Sequence, residues 1–174
     1  MAISRRELEL LYRDLEVPLY NFALRWVFNP AQAEELVHDA FVRLWNRRDE
    51  VEFPTIKSLL FKTTQNLCLN EIRKRKVREA FAILKSFVEW DDDTPTTEEN
   101  LIEDQELQRL RLALEKLPHD LREVLLLFEY SGMSYAEIAF TLEIAEGTVA
   151  SRKNRALQMI RELMSEIKEP KNER

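Results

Sequence analysis

Ser134-Tyr-Ala-Glu-Ile-Ala-Phe-Thr-Leu-Glu-Ile-Ala-Glu-Gly-Thr-Val-Ala-Ser-Arg-Lys-Asn-Arg155 reads as two helices joined by a tight turn. Ser134 and Glu137 stand at capping-box spacing and open a helix to about Leu142. A turn over Glu143 to Gly147 leads to a last helix from Thr148 to about Ile167. Where two helices cross closely the first needs a small residue, and Ala139 supplies it; Ile144 and Val149 offer apolar side chains at the turn and early in the second helix. Glu143 occupies the place where such a turn prefers Gly. The pattern is a helix-turn-helix, and it places Ser151, Arg152, Lys153, Asn154 and Arg155 on an exposed face. Those side chains donate hydrogen bonds to phosphates and base edges.

Working upstream, the chain continues to read as helix. A segment from His119 to Tyr130 stops at Ser131-Gly132, where glycine suits the left-handed position after a helix end. Another runs from Glu103 to Lys116 and ends at Leu117-Pro118. The stretch Trp90-Asp-Asp-Asp-Thr-Pro-Thr-Thr-Glu-Glu-Asn100 is acidic, contains Pro and lacks apolar periodicity, so it reads as a linker. Before it, a long helix starts near Thr55 with Ile56, Leu59, Leu60, Thr63, Leu67 and Ile72 on its buried side. Val77, Phe81, Leu84 and Val88 continue the spacing in an extension or a second short helix. Asn29-Pro30 is a helix start, and the helix from about Ala31 to Arg47 turns Ala33, Leu36, Val37, Ala40, Phe41, Leu44 and Trp45 to one face. Ser4-x-x-Glu7 caps a first segment in which Pro18 predicts a kink or a break. Trp26, Phe41, Trp45 and Phe61 are expected in the core, and Cys68 as a small buried residue. The fold class is therefore all-α: two helical domains joined by an acidic flexible linker. The divisions fall at residues 1–88, 89–103 and 104–168.

Composition narrows the chemistry. Two glycines in 174 residues leave no room for the glycine-rich turns of phosphate-cradling or dinucleotide-binding folds. A lone cysteine forms no internal disulfide, the N-terminus has no apolar signal core, and no run spans a bilayer. These point to a reducing cytoplasm without membrane insertion. An enzyme is the first rival reading, since Glu35-x-x-His38 has the spacing of a di-iron half-site. The other histidine, His119, has Lys116 three residues earlier, so no partner half-site exists. No catalytic residue, metal ligand or cofactor site is expected.

The net charge of −6 conceals a pattern. Arg43 to Arg78 carries ten basic and four acidic residues; Glu79 to Leu110 carries two and ten; Thr148 to Lys168 carries five and two. In the first basic block the long helix should expose Lys57, Lys62, Gln65, Asn66, Asn70, Arg73 and Lys74. Cations hold a nucleic-acid backbone while amides read base edges. Two basic helical faces flank an acidic segment.

Both halves resemble the extracytoplasmic-function (ECF) sigma factors, a small two-domain class of bacterial transcription initiation factors. Ala33-Glu-Glu-Leu-Val-His-Asp-Ala-Phe-Val-Arg-Leu-Trp45 resembles the family's core-polymerase-binding helix. Phe53-Pro-Thr-Ile-Lys-Ser-Leu-Leu-Phe-Lys-Thr-Thr-Gln-Asn-Leu-Cys-Leu-Asn-Glu-Ile-Arg-Lys-Arg75 resembles the segment that melts and reads the −10 promoter element. Leu117-Pro118, Gly132-Met-Ser-Tyr-Ala-Glu-Ile-Ala139 and Gly147-Thr-Val-Ala-Ser-Arg152 resemble the domain that reads the −35 element.

The resemblance covers most of residues 8–165 and implies roles residue by residue. Glu35, His38, Asp39 and Arg43 would bind core RNA polymerase, with His38 where members often carry Gln. Lys57, Lys62, Asn66, Asn70, Arg73 and Lys74 would bind the −10 element, and Asp49 to Pro54 would border the pocket for a flipped base. Thr148, Ser151, Arg152, Lys153, Asn154 and Arg155 would bind the −35 element. Ala150 and Lys153 depart from the usual residues there, so no particular −35 sequence is implied. The acidic linker would thread a polymerase channel built for nucleic acid. The implied partners are core polymerase, promoter DNA and an anti-sigma factor. The rival from the binding class is a stand-alone helix-turn-helix regulator, which would bind duplex DNA unaided and would leave the N-terminal pattern unexplained.

Overall fold

The computed structural model describes residues 3–51, 55–88 and 105–166. Seven α-helices and no strand occur among them: α1 (Arg5–Val27), α2 (Pro30–Asn46), α3 (Ile56–Val88), α4 (Gln105–Lys116), α5 (His119–Ser131), α6 (Tyr135–Leu142) and α7 (Glu146–Glu166).

Local chemistry accounts for most of the boundaries. Ser4 caps α1 with a complete capping box to Glu7, and the Asn29 side chain accepts from the Gln32 N–H ahead of Pro30. Gly132 ends α5 in the left-handed conformation at φ 63°. Pro18 does not divide α1, which runs unbroken to Val27. The roughly 3 kcal/mol cost of an interior proline is offset because Leu19, Phe22 and Ala23 directly after it are fully buried. The extension beyond Arg75 is a continuation of α3, making one helix of 33 residues and about 50 Å.

In the N-terminal half α1, α2 and α3 pack on one another around Leu19, Phe22, Trp26, Val37, Phe41, Leu60 and Phe61, with the Phe22 and Phe61 rings edge to face at 5.2 Å. Trp45 departs from the expectation: it is only half-buried, its indole lying under the Arg48 guanidinium at 4.4 Å. The helix meets solvent there, and the ring covers an arginine instead of filling the core. In the C-terminal half α7 packs across α4, α5 and α6, with Val124, Leu127, Ile138, Val149 and Ala156 fully buried between them. The two halves touch: α1 lies against α5, and α3 against α6. The expected acidic linker, residues 89–103, falls outside the described residues, and of the expected base-pocket border Asp49 to Val51 are described.

Candidate nucleic-acid interface

The turn of the helix-turn-helix forms around one strained residue. Glu143 adopts the left-handed conformation at φ 56°, where glycine would sit without strain. Its neighbours hold it there, because the Ile144 N–H donates to the Ala139 carbonyl and Val149 is fully buried behind the turn. Ser134 and Glu137 form the expected capping box, and those hydrogen bonds hold the Glu137 carboxyl below the usual carboxylate range.

The second helix of the motif, α7, sorts its polar residues into two groups. Ser151, Asn154 and Arg155 are exposed and share one face at i, i+3 and i+4. Thr148 is half-buried at the start of the helix, where its carbonyl accepts from the Ser151 hydroxyl at 3.1 Å. Arg152 and Lys153 are half-buried, contrary to the exposure expected of them. Arg152 Nε lies 3.4 Å from Asp120 Oδ2 of α5. Lys153 Nζ sits 3.4 Å above the Phe128 ring and donates to the Tyr135 hydroxyl at 3.2 Å. A lysine beginning at an apolar position puts its methylenes against the core and its ammonium on aromatic faces.

The expected face of α3 is sorted differently. Asn66 is exposed; Asn70 and Arg73 are exposed and bonded to each other at 3.2 Å; Lys74 pairs loosely with Glu71 at 3.9 Å. Lys57 is half-buried. Gln65 is not on the exposed face at all: it is 4% exposed and donates to Glu123 Oε1 of α5 at 2.7 Å. Lys62 donates to the Thr141 carbonyl of α6 at 3.2 Å.

On α2, Glu35, His38, Asp39 and Arg43 all lie exposed on the face opposite its buried stripe. The structure brings three of them to the DNA candidates. Glu35, Asp39 and Arg43 line one groove with Asn70, Arg73 and Lys74. Arg43 also borders a second with Lys62 and Asn66. Tyr12, Glu16, Val17 and Tyr20 of α1 edge a further groove with Glu35 and His38.

Sequence reasoning missed the residues that hold these faces. Asp120, Phe128 and Tyr135 anchor α7, and Arg122 of α5 holds α1. Arg122 had one visible signal, a cation among Leu121, Leu125 and Leu126 at core spacing. Among the described residues no group of three His, Cys, Asp or Glu could hold a metal, and no helix is long and apolar enough to cross a membrane. Cys68 is fully buried, and desolvation pushes its thiol up to about 12.

Comparison with known proteins gives both halves a family. Residues 11–78 match the model described as Sigma-70 region 2, and residues 107–160 match Sigma-70, region 4. The ECF RNA polymerase sigma factor SigL of Mycobacterium tuberculosis is 30% identical over 163 residues, covering 90% of this chain and 88% of that protein. EcfG of Rhodopseudomonas palustris is 32% identical over 144 residues, covering 82% of this chain and 77% of its own length. SigE of Mycolicibacterium smegmatis is 29% identical over 147 residues, and the match spans 57% of its length. Among solved structures, the sigma factor RpoE of Bartonella quintana, crystallised with the anti-sigma factor NepR, superposes with a TM-score of 0.62 at 28% identity. That superposition covers 90% of this chain and 98% of RpoE.

Proposed function

This chain belongs to the ECF RNA polymerase sigma factors, and from that premise we propose that it docks on bacterial core polymerase in the cytoplasm and directs it to promoters. Residues 1–88 form the unit that binds polymerase and opens the −10 element; residues 104–168 form the unit that reads the −35 element. On α2, Glu35, His38, Asp39 and Arg43 contact polymerase. On α3, Lys57, Lys62, Asn66, Asn70, Arg73 and Lys74 hold and read the −10 strand. On α7, the exposed Ser151, Asn154 and Arg155 face the −35 duplex, flanked by Arg152 and Thr148, while Lys153 positions the helix. Residues 89–103 tether the two units. An anti-sigma factor restrains the protein by covering these faces.

The observation that carries this reading is the groove that unites Glu35, Asp39 and Arg43 with Asn70, Arg73 and Lys74. A polymerase-docking face and a strand-reading face then share one wall, so docking places the polymerase beside the strand being separated. Melting costs a few kcal/mol for each base taken out of the stack. That cost is met by cations along the backbone and by polymerase contacts, and no covalent step or cofactor is needed.

Labelled promoter duplex, titrated with and without core polymerase, tests the reading. The protein binds core, and promoter binding becomes tight only in the complex. Arg152→Ala with Arg155→Ala weakens promoter binding and flattens its salt dependence. Tight binding of duplex by the protein alone, unaltered by core, would replace this reading with a stand-alone regulator.

A further inference from the structure

The last turns of α3 leave an apolar stripe in solvent. Val77 is 56% exposed, Phe81 68% and Leu84 62%, and a row of large apolar side chains at the surface marks a place where something binds. Asn70, Arg73, Val77, Phe81 and Leu84 follow one another at steps of three or four residues along this unbroken helix. Residues at that spacing share one face. The stripe therefore prolongs the face proposed to read the −10 strand. The match to Sigma-70 region 2 ends at residue 78, so Phe81 and Leu84 lie past the part of the helix for which the family accounts.

The charge around the stripe selects a polyanion. Arg73 and Lys74 lie on the face just before it, Lys76 and Arg78 flank Val77, and all four are exposed. Successive residues turn about 100° around a helix, so these last two stand on either side of the stripe. The carboxylates of the same turns stand off this face: Glu71 accepts from Arg78 at 2.8 Å, and Glu79 lies 3.7 Å from Arg75. Chain order sets the direction. α3 leads through residues 89–103 to the unit that reads the −35 element, so its C-terminal end lies on the upstream side of the −10 element. From Lys74 to Leu84 the helix rises about 15 Å, roughly four base pairs of duplex at 3.4 Å each. An α-helix fits the major groove, where thymine alone presents a methyl group, and apolar side chains read that methyl.

We propose that Val77, Phe81 and Leu84 form a further DNA-reading surface, which recognises thymine methyl groups in the major groove of the duplex directly upstream of the −10 element. The proposal rests on the sigma-factor reading and extends it beyond the −10 element. The cations beside the stripe hold the backbone phosphates, and Phe81, the largest and most exposed of the three, makes the principal methyl contact. Burying one methyl group against apolar side chains is worth about fourfold in affinity, so each thymine read in this way adds about that factor.

Two measurements on the full chain with core polymerase test it. In the first, open-complex formation is compared on a promoter that carries thymines directly upstream of its −10 element and on the same promoter with deoxyuridine in their place. That exchange removes the methyl groups and keeps every base-pair hydrogen bond. Wild type should lose about fourfold for each methyl it reads, whereas Phe81→Ala with Leu84→Ala, folded as wild type by circular dichroism, should show no methyl effect. A methyl effect of equal size in both proteins, or none in wild type, would overturn the proposal. In the second, Phe81→p-benzoylphenylalanine is irradiated in the open complex, and the benzophenone bonds to whatever covers it. Crosslinks to DNA just upstream of the −10 element would support the proposal. Crosslinks only to a polymerase subunit, or only to a second copy of this chain, would overturn it and name the other occupant. A wild type that directs no transcription would remove the sigma-factor reading and the proposal together, while transcription indifferent to the methyl groups would remove the proposal alone.

Discussion

The two basic helices, α3 and α7, carry similar residues under different restraint. On α7 the inward-turned cations are held within their own half: Arg152 by Asp120, Lys153 by Phe128 and Tyr135. On α3 two polar groups are held by the other half: the buried Gln65 by Glu123, and the exposed Lys62 by the Thr141 carbonyl. A contact inside one half is set by that half alone, whereas a contact between the halves depends on how they meet. The polar face of α7 is therefore fixed within its own half, and part of the polar face of α3 depends on the other.

Breaking the packing beneath one helix gives the largest effect. Phe61 is fully buried where α3 meets α1, so Phe61→Ala should destabilise the N-terminal half by about 3–5 kcal/mol. Trp45→Ala, at a half-buried ring, should cost less than half of that, and denaturant melts of both variants measure the contrast. Equal losses would mean that Trp45 is as much a core residue as Phe61.

The next pair separates holding from reading on α7. Lys153→Met should cost about 1–2 kcal/mol of stability through its lost cation–π contact while leaving the salt dependence of promoter binding nearly unchanged. Arg155→Ala should leave stability alone and lower the log–log salt slope by about one. An exchange of these two outcomes would reverse the roles assigned to the two residues.

Smaller effects lie in the turn and the cap. Glu143→Gly relieves the left-handed backbone and should raise stability by up to about 1 kcal/mol; a lower melting temperature would count against a strained turn. The carboxyl of Glu137 is held below its ordinary value of 4.5 by Ser134. A depressed carboxylate contributes stability that is present above that value and is lost as pH falls through the folded pKa. Glu137→Gln should therefore shrink the fall in melting temperature below pH 4.5, and an unchanged acid limb would show that the cap carries no such charge term.

Much of this was legible beforehand because it is local. The caps at Ser4, Asn29 and Ser134, the Gly132 stop, and the apolar stripes of α2 and α3 are set by residues three or four apart. The same is true of the small Ala139 inside the helix-turn-helix. What escaped depends on partners distant in sequence. Nothing near Gln65 announces Glu123, and a lysine at an apolar register gives no sign of the two rings that receive Lys153. Pro18 misled for the same reason, since its cost is local and the packing that offsets it comes from other helices. The site followed the same rule: the family resemblance implies Glu35, His38, Asp39 and Arg43 on α2, and nothing local announces that three of them meet Asn70, Arg73 and Lys74.

In-vitro transcription tests the account at its centre: bacterial core polymerase, with and without this protein, on a pool of upstream genomic fragments from the same source. The account predicts transcripts that start at defined positions and appear only when the protein is present, from fragments sharing two upstream elements. No transcripts, together with no stable complex between the protein and core polymerase, would contradict it.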